Sequence, residues 1–251
     1  EIIWIKKEAP MELSKRLYAV AGLVTEGASV ADIGTDHGYI PIYLMEKKIA
    51  SKVIALDINK GPLERARMHI LGHGWKGKIE TRLSDGLSAV KPKEVDTMIA
   101  AGMGGGLVIK ILKEGKTVAD TIEHFILQPQ SEIFKVRQFL AEHHFRIEAE
   151  DMTEEDGKFY PVMRVVHGES ESYSACEYQY GKCLLNDRHP VLYRYLKREM
   201  AIKESVFRQL FGHRDSESAK VRMEEVRREI LLVQEALTYF EEDVYGTETD
   251  C

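Results

Sequence analysis

The sequence predicts an α/β chain in two parts: a domain on a mainly parallel seven-stranded sheet over residues 11–168, then an antiparallel helical hairpin over 169–245. Three observations carry this. From Leu13 to about Gly168, short β-branched runs alternate with longer amphipathic ones, as in a sheet wrapped by helices. The run Ala28-Ser-Val-Ala-Asp-Ile-Gly-Thr-Asp-His-Gly-Tyr39 leads an apolar strand through an acid into two glycines and a helix start, and Val53-Ile-Ala-Leu-Asp57 repeats the strand-end acid about twenty residues on, the spacing of a ribose-binding acid. After Gly168 the chain turns polar at Glu169-Ser-Glu-Ser-Tyr-Ser174, and from there to about Asp243 it is almost purely helical.

Taken in order, the strands are Ser29–Ile33, Lys52–Leu56, Lys78–Leu83, Asp96–Ala101, His124–Gln128, Arg146–Met152 and Tyr160–His167, with helices between them. Asn59 is available to cap the helix that follows the second strand, where Pro62 is tolerated in the first turn because its missing N–H is not needed there. Ser131 is placed to cap a helix over Glu132–His143. The last two strands follow one another across Glu154-Glu-Asp-Gly157 with no helix between, so they form an antiparallel hairpin at the sheet edge. In the second part, Ala219, Met223, Val226, Ile230, Val233, Leu237 and Phe240 alternate spacings of four and three, a coiled-coil stripe. Leu192, Tyr195, Ile202, Val206 and Leu210 form the partner stripe on a helix from His189 to about Phe211, and Gly212-His-Arg-Asp-Ser makes the turn, with Asp215 or Ser216 as cap.

Composition narrows the class. At 44% hydrophobic residues the chain can bury a core, and the apolar run in Glu1-Ile-Ile-Trp-Ile-Lys-Lys7 is too short to cross a membrane, so the folded part is expected to open at Met11. Cys176, Cys183 and Cys251 are too few and wrongly spaced for a disulfide framework or a zinc site, which points to free thiols, no metal and a reducing cytoplasm. The net charge of −6 excludes a uniformly basic nucleic-acid binder but leaves a local basic face open.

The loops after the strands carry the chemistry. Gly34 and Gly38 let the backbone turn and approach a ligand. A dinucleotide loop would read Gly-x-Gly-x-x-Gly against a pyrophosphate, yet its third position here is Asp36, which repels a pyrophosphate and attracts an amino group or a sulfonium. Asp32, Asp36 and Asp57 together favour S-adenosylmethionine over NAD. Asp85-Gly86, after the third strand, can bond an adenine, or it is a plain Asp-Gly turn. The loop Gly102-Met-Gly-Gly-Gly106 either admits a flat ring beside the methyl donor or caps a helix. Gln128 and Gln130 flank Pro129 and either reach a base edge or tie down their loop.

Leu13-Ser-Lys-Arg-Leu-Tyr18, the acid loops, Gly102–Gly106, Leu127-Gln-Pro-Gln130 and Glu155-Asp-Gly-Lys-Phe-Tyr160 together resemble the bacterial tRNA (adenine-22 N1)-methyltransferase family, over roughly Met11 to Gly168. The trailing hairpin is similar to that family's coiled-coil domain. The resemblance implies a Rossmann-like class I methyltransferase fold, S-adenosylmethionine as donor, and direct in-line methyl transfer to N1 of an adenosine in the D-arm region of tRNA. It implies Asp32, Gly34 and Gly38 at the methionine part, Asp57 at the ribose, Asp85 with Gly86 at the adenine, and Asn59 and Ala101 completing the cofactor set. Asp36, Gly102, Met103, Gly104 and Tyr160 are expected around the reacting base, with Arg16, Gln128 and Gln130 on the substrate side. Because N1 lies on the Watson–Crick edge, the base must be unpaired or flipped, and Tyr39, Phe159 or Tyr160 is expected either to stack on it or to pack in the core. A small-molecule or protein methyltransferase with this cofactor site, or a nucleotide-binding scaffold with a partner-recruiting coiled coil, remains the alternative. The hairpin mixes Arg194, Lys197, Arg198, Lys203, Arg208, Arg214, Lys220, Arg222, Arg227 and Arg228 with Glu199, Glu204, Glu224, Glu225 and Glu229. It is either a salt-bridged solvated coil or, as the size of a tRNA favours, a phosphate-binding arm led by Arg194, Lys197 and Arg198, on a chain expected to be monomeric.

Overall fold

Four central strands are apolar on both faces, so they can only sit inside a sheet covered on both sides by helices. The computed structural model describes residues 10–169, 171–212 and 216–241, and the chain divides into two units after Ser172. The opening run before Met11, the Asp215 cap, Arg214 and Cys251 lie outside the described residues.

The first unit runs α1 (Lys15–Gly22), β1 (Ala28–Ile33), α2 (Tyr39–Glu46), β2 (Ala50–Asp57), α3 (Lys60–Gly72), β3 (Ile79–Leu83), β4 (Thr97–Met103), α4 (Gly105–Glu114), α5 (Lys116–Ala119), β5 (His124–Pro129), α6 (Ile133–Glu142), β6 (Phe145–Glu155) and β7 (Lys158–His167). All seven expected strands form, in the order β3-β2-β1-β4-β5-β7-β6. The first five run parallel, and β7 is antiparallel to both β5 and β6. Asp156 and Gly157 both take positive φ (50° and 70°), the two-residue turn whose twist matches a hairpin. The chain leaves β1 towards β2 and later returns to its other side at β4, so a crevice opens beyond the carboxyl ends of β1 and β4.

Two expected caps are corrected. Helix α6 begins at Ile133, and the residue before it is Glu132 in a left-handed conformation (φ 51°) with no side-chain cap. Ser131 lies one residue before that position, with its hydroxyl 3.2 Å from where a Cβ on Gly104 would sit and its carbonyl accepting the Gly105 N–H at 3.0 Å, so it faces the start of α4 rather than that of α6. A Cβ on Gly105 would lie 2.5 Å from that same carbonyl oxygen, so a glycine is required there for packing. Asn59 does precede α3, but its side chain makes no cap; its N–H instead donates to Asp57 Oδ1 at 2.8 Å. Between α6 and β6, Arg137 and Glu150 form a fully buried ion pair at 2.8 Å.

The second unit comprises α7 (Ala175–Tyr180), α8 (Lys182–Asn186), α9 (Pro190–Phe211) and α10 (Glu217–Thr238). Helices α9 and α10 are antiparallel: the ring of Tyr193 near the start of one lies 5.3 Å from that of Phe240 beyond the end of the other, tilted by 41°, and Lys203 bonds Glu229 at 2.8 Å midway. On α10 the expected stripe faces inward, with Ala219, Val226 and Val233 buried. On α9 the stripe holds at Leu192, Tyr195, Val206 and Leu210, which are buried or half-buried, and is corrected at Ile202. Leu192 and Leu196 are the buried residues, Ile202 is 47% exposed, and Lys203 takes the inward position, held by Glu199 at 3.1 Å and Glu229 at 2.8 Å. Counting by fours and threes from Leu192 lands on Lys203, whose long stem reaches carboxylates on both helices; a polar residue in a seam specifies pairing at some cost in stability. Ser216 precedes α10 without capping it, its hydroxyl turned to Ser218 at 2.8 Å. No helix among the described residues is long and apolar enough to cross a membrane.

Candidate functional site

A cavity of about 530 Å³ occupies the crevice beyond β1 and β4. Its floor comes from the end of β1 and the loop after it: Asp32, Gly34, Thr35 and Asp36. That loop is hung on the neighbouring strand, since the N–H groups of Gly34 and Thr35 both donate to the Leu56 carbonyl at 2.8 and 2.9 Å. Asp36 is held in a left-handed conformation (φ 45°) and its carboxylate meets Arg65 of α3 at 2.7 Å. On the rim, His37 stacks on Tyr39 at 5.1 Å, and Tyr39 on His69 at 5.7 Å.

The opposite wall is made by Ala101 and Gly102 of β4 and by α1, which contributes Arg16. Arg16 donates to Gln128 Oε1 at 2.9 Å and stands 5.7 Å from the Tyr160 ring centre. Along the neighbouring strand ends, Asp57 is buried at the tip of β2, one oxygen on the Asn59 amide. Asp85 is half exposed after β3, 3.9 Å from Lys110, and the Ser84 hydroxyl closes its loop by donating to the Gly86 carbonyl at 2.8 Å. Asp85 and Gly86 line a separate, smaller cavity of about 210 Å³ against α4. Among the described residues no three His, Cys, Asp or Glu side chains are grouped to hold a metal ion.

Burial pushes the Asp32 carboxyl up to about 6 from its ordinary 3.8; the Thr35 hydroxyl beside it opposes the shift, though it is not aligned for a hydrogen bond, and the Asp57 carboxylate adds to it. The folded state therefore holds this proton where the unfolded chain has lost it. Below about pH 4 both states are protonated and burial costs nothing; as pH rises through 6 the buried charge forms and stability falls. A displacement of this size is worth about 3 kcal/mol. Asp32→Asn is thus expected to raise the unfolding free energy by up to about 3 kcal/mol at pH 8 and by almost nothing at pH 4, read by urea titration at both pH values. An equal gain at both would exclude burial of the charge as its source.

A family model described as a methyltransferase domain matches residues 13–163. Over 234 residues the chain is 32% identical to the tRNA (adenine(22)-N(1))-methyltransferase of Bacillus subtilis (strain 168), an alignment covering 91% of this chain and 98% of that protein. The chain belongs to the tRNA (adenine(22)-N(1))-methyltransferase family. The crystal structure of the B. subtilis m1A22 tRNA methyltransferase TrmK matches with a TM-score of 0.79 at 32% identity, over 90% of this chain and 99% of that one. The structure of M. capricolum TrmK, in complex with the cofactor product S-adenosyl-homocysteine, matches with a TM-score of 0.79 at 26% identity, over 91% and 99%.

In this member of the tRNA (adenine(22)-N(1))-methyltransferase family, Arg16, Asp32, Gly34, Asp36, Tyr39, Ala101 and Gly102 share the main cavity. The other expected residues do not line it. Gly38 precedes α2, where a Cβ would lie 3.4 Å from Ala66. Asp57 with Asn59, and Asp85 with Gly86, stand at the next strand ends along the sheet. The Met103 side chain folds back to 3.3 Å from where a Cβ on Gly34 would sit, and Gly104 starts α4. Gln128 and Tyr160 stand behind Arg16, while the Gln130 backbone N–H donates to the Met103 carbonyl at 2.9 Å and its side-chain Nε2 lies 3.8 Å from where a Cβ on Gly102 would sit. Arg194, Lys197 and Arg198 are exposed on α9 of the second unit. Sequence reasoning did not single out Thr35 and His37, which lie inside the recognised loop, Ser14 and Leu17, which lie inside the Leu13–Tyr18 motif, or Glu12 and Ile40 beside them.

Proposed function

We propose that the chain transfers a methyl group from S-adenosylmethionine to N1 of adenosine 22 in tRNA, acting in the cytoplasm, as a monomer and without a metal ion. The observation that carries this reading is the end-to-end match to the B. subtilis enzyme, covering 98% of it, on a chain whose β1 and β2 both end in buried carboxylates beside an open cavity. The residues present fit the cofactor: Asp32 offers a buried carboxylate to a cation, and Thr35 a buried hydroxyl without a partner. Bound S-adenosylmethionine supplies a methyl group already activated on a sulfonium, so no nucleophilic side chain is needed.

Asp32, Gly34 and Gly38 hold the methionine part, Asp57 and Asn59 the ribose, Asp85 and Gly86 the adenine, with Ala101 as the wall beside them. The remaining work is positioning and electrostatics. Asp36 and the Gly102 carbonyl accept from the exocyclic amine of the target base and accommodate the positive charge that develops on its ring, while the Met103 and Gly104 carbonyls, which accept from Gln130 and from Leu107 and Val108, shape the loop. Tyr39 is 38% exposed on the rim, open to stack on the flipped base, whereas Tyr160 lies under Arg16.

The direct test incubates the full chain with unmodified tRNA and S-adenosylmethionine and digests the product to nucleosides for mass spectrometry. 1-Methyladenosine is expected, with a primer-extension stop at position 22; its absence overturns the reading. The hairpin supplies phosphate contacts through the exposed Arg194, Lys197 and Arg198. Neutralising all three is expected to weaken tRNA binding and flatten its salt dependence, with cofactor affinity unchanged. An unaltered salt slope rejects that role.

A further inference from the structure

The cofactor-side acids and Arg16 lie on opposite sides of the switch point. Asp32, Asp57 and Asp85 stand at or just beyond the ends of β1, β2 and β3. Arg16 is surrounded from the other half of the sheet, by Gly102 at the end of β4, Gln128 on β5 and Tyr160 on β7. Strand β5 is two places from β1, about 10 Å at ordinary interstrand spacing. Among the described residues lining the cavity, Arg16 is the one guanidinium or ammonium, and it shares that lining with Glu12, Asp32 and Asp36.

Its position is built rather than incidental. Gln128 is 0% exposed and turns both its polar ends to Arg16: Oε1 accepts from the guanidinium at 2.9 Å, and Nε2 donates to the Arg16 carbonyl at 3.3 Å. An amide buried this completely is out of reach of a base edge. Gly102 adopts φ +78°, and a Cβ there would lie 3.0 Å from a guanidinium nitrogen, so both the backbone conformation and the room for Arg16 call for glycine. With one hydrogen bond given to Gln128, the guanidinium fork keeps donors for a ligand.

Adenine N1 is the wrong ligand for it. A donor aimed at N1 would occupy the lone pair that must be methylated, and the methylated ring is cationic, which a guanidinium repels. A planar fork of N–H groups suits an oxyanion. We propose that Arg16 clamps an RNA phosphate next to the adenosine being methylated, and that Gln128, Gly102 and Tyr160 are its positioning residues. This rests on the function proposed above.

The test pairs protein and substrate changes. RNA substrates in which each phosphate flanking the target adenosine is replaced in turn by an uncharged methylphosphonate are assayed with wild type, Arg16→Ala and Arg16→Lys, and S-adenosylmethionine affinity is measured for each protein by calorimetry. At one phosphate, methylphosphonate is expected to lower wild-type kcat/KM by about ten- to a hundredfold, as for loss of a charged hydrogen bond, and to lower that of Arg16→Ala no further. Arg16→Lys keeps the charge without the fork and should fall between. Cofactor affinity should stay within threefold, which also shows that the variants fold. Equal methylphosphonate penalties in wild type and Arg16→Ala at every position overturn the clamp, as does a tenfold loss of cofactor affinity in Arg16→Ala, which would assign Arg16 to the cofactor carboxylate. A wild-type chain that forms no 1-methyladenosine overturns the proposed function itself; one that methylates without this coupling overturns the clamp alone.

Discussion

Asp57→Ala is expected to weaken S-adenosylmethionine binding at least about a hundredfold. The carboxylate is buried at the end of β2 with one oxygen on the Asn59 amide, leaving the other to face a ribosyl ligand at the position where doubly wound sheets bind ribose. Each hydrogen bond to a charged group is worth about 1.5–3 kcal/mol, and two vicinal hydroxyls on one carboxylate give about 3–6 kcal/mol. Asp57→Asn keeps the shape and loses the charge, so it should lose less. The same substitutions remove a like charge beside Asp32, whose carboxyl should then titrate below its present value of about 6. Calorimetric titration of both variants decides the matter, since an affinity within threefold of wild type would remove Asp57 from the ribose site.

Arg137→Ala is expected to lower the unfolding free energy by about 3–5 kcal/mol. The guanidinium sits between α6 and β6 with 1% of its side chain exposed, donating to Glu150 at 2.9 and 2.8 Å, and Glu150 is as deeply buried. Removing the arginine leaves a carboxylate in a low-dielectric interior without its counter-charge, which is a greater penalty than the pair's own net contribution. Replacing both partners with apolar residues, as in Arg137→Met with Glu150→Leu, should recover most of the loss. Denaturant melts of the single and double variants separate the two cases. A single variant within about 1 kcal/mol of wild type would mean that the loss of Arg137 does not leave an uncompensated charge in the interior.

The sheet and the cofactor half of the site were legible in the sequence because their causes are local. A strand buried on both faces has to be a continuous apolar run, as in Val53-Ile-Ala-Leu and Phe125-Ile-Leu. The loops after such strands meet at one edge of the sheet, so Asp32, Asp57 and Asp85 could be placed at neighbouring strand ends before any contact was known. Asp156-Gly157 announced the edge hairpin because two consecutive positive φ angles favour that dipeptide.

The acceptor half was not legible in the same way. The sequence by itself determined the strand order signals, the two-part organisation and the acids along the cofactor edge, since each depends on side-chain period or on a few consecutive residues. Only the tertiary structure decided that Gln128 holds Arg16 instead of facing a base, across a separation of 112 residues. It also decided that Ser131 packs against the start of α4 while Glu132 precedes α6, and that Lys203 turns into the hairpin seam while Ile202 turns out. A polar side chain has several partners of nearly equal strength available to it, and the choice among them is made by whichever distant group the packed fold brings within about 3 Å.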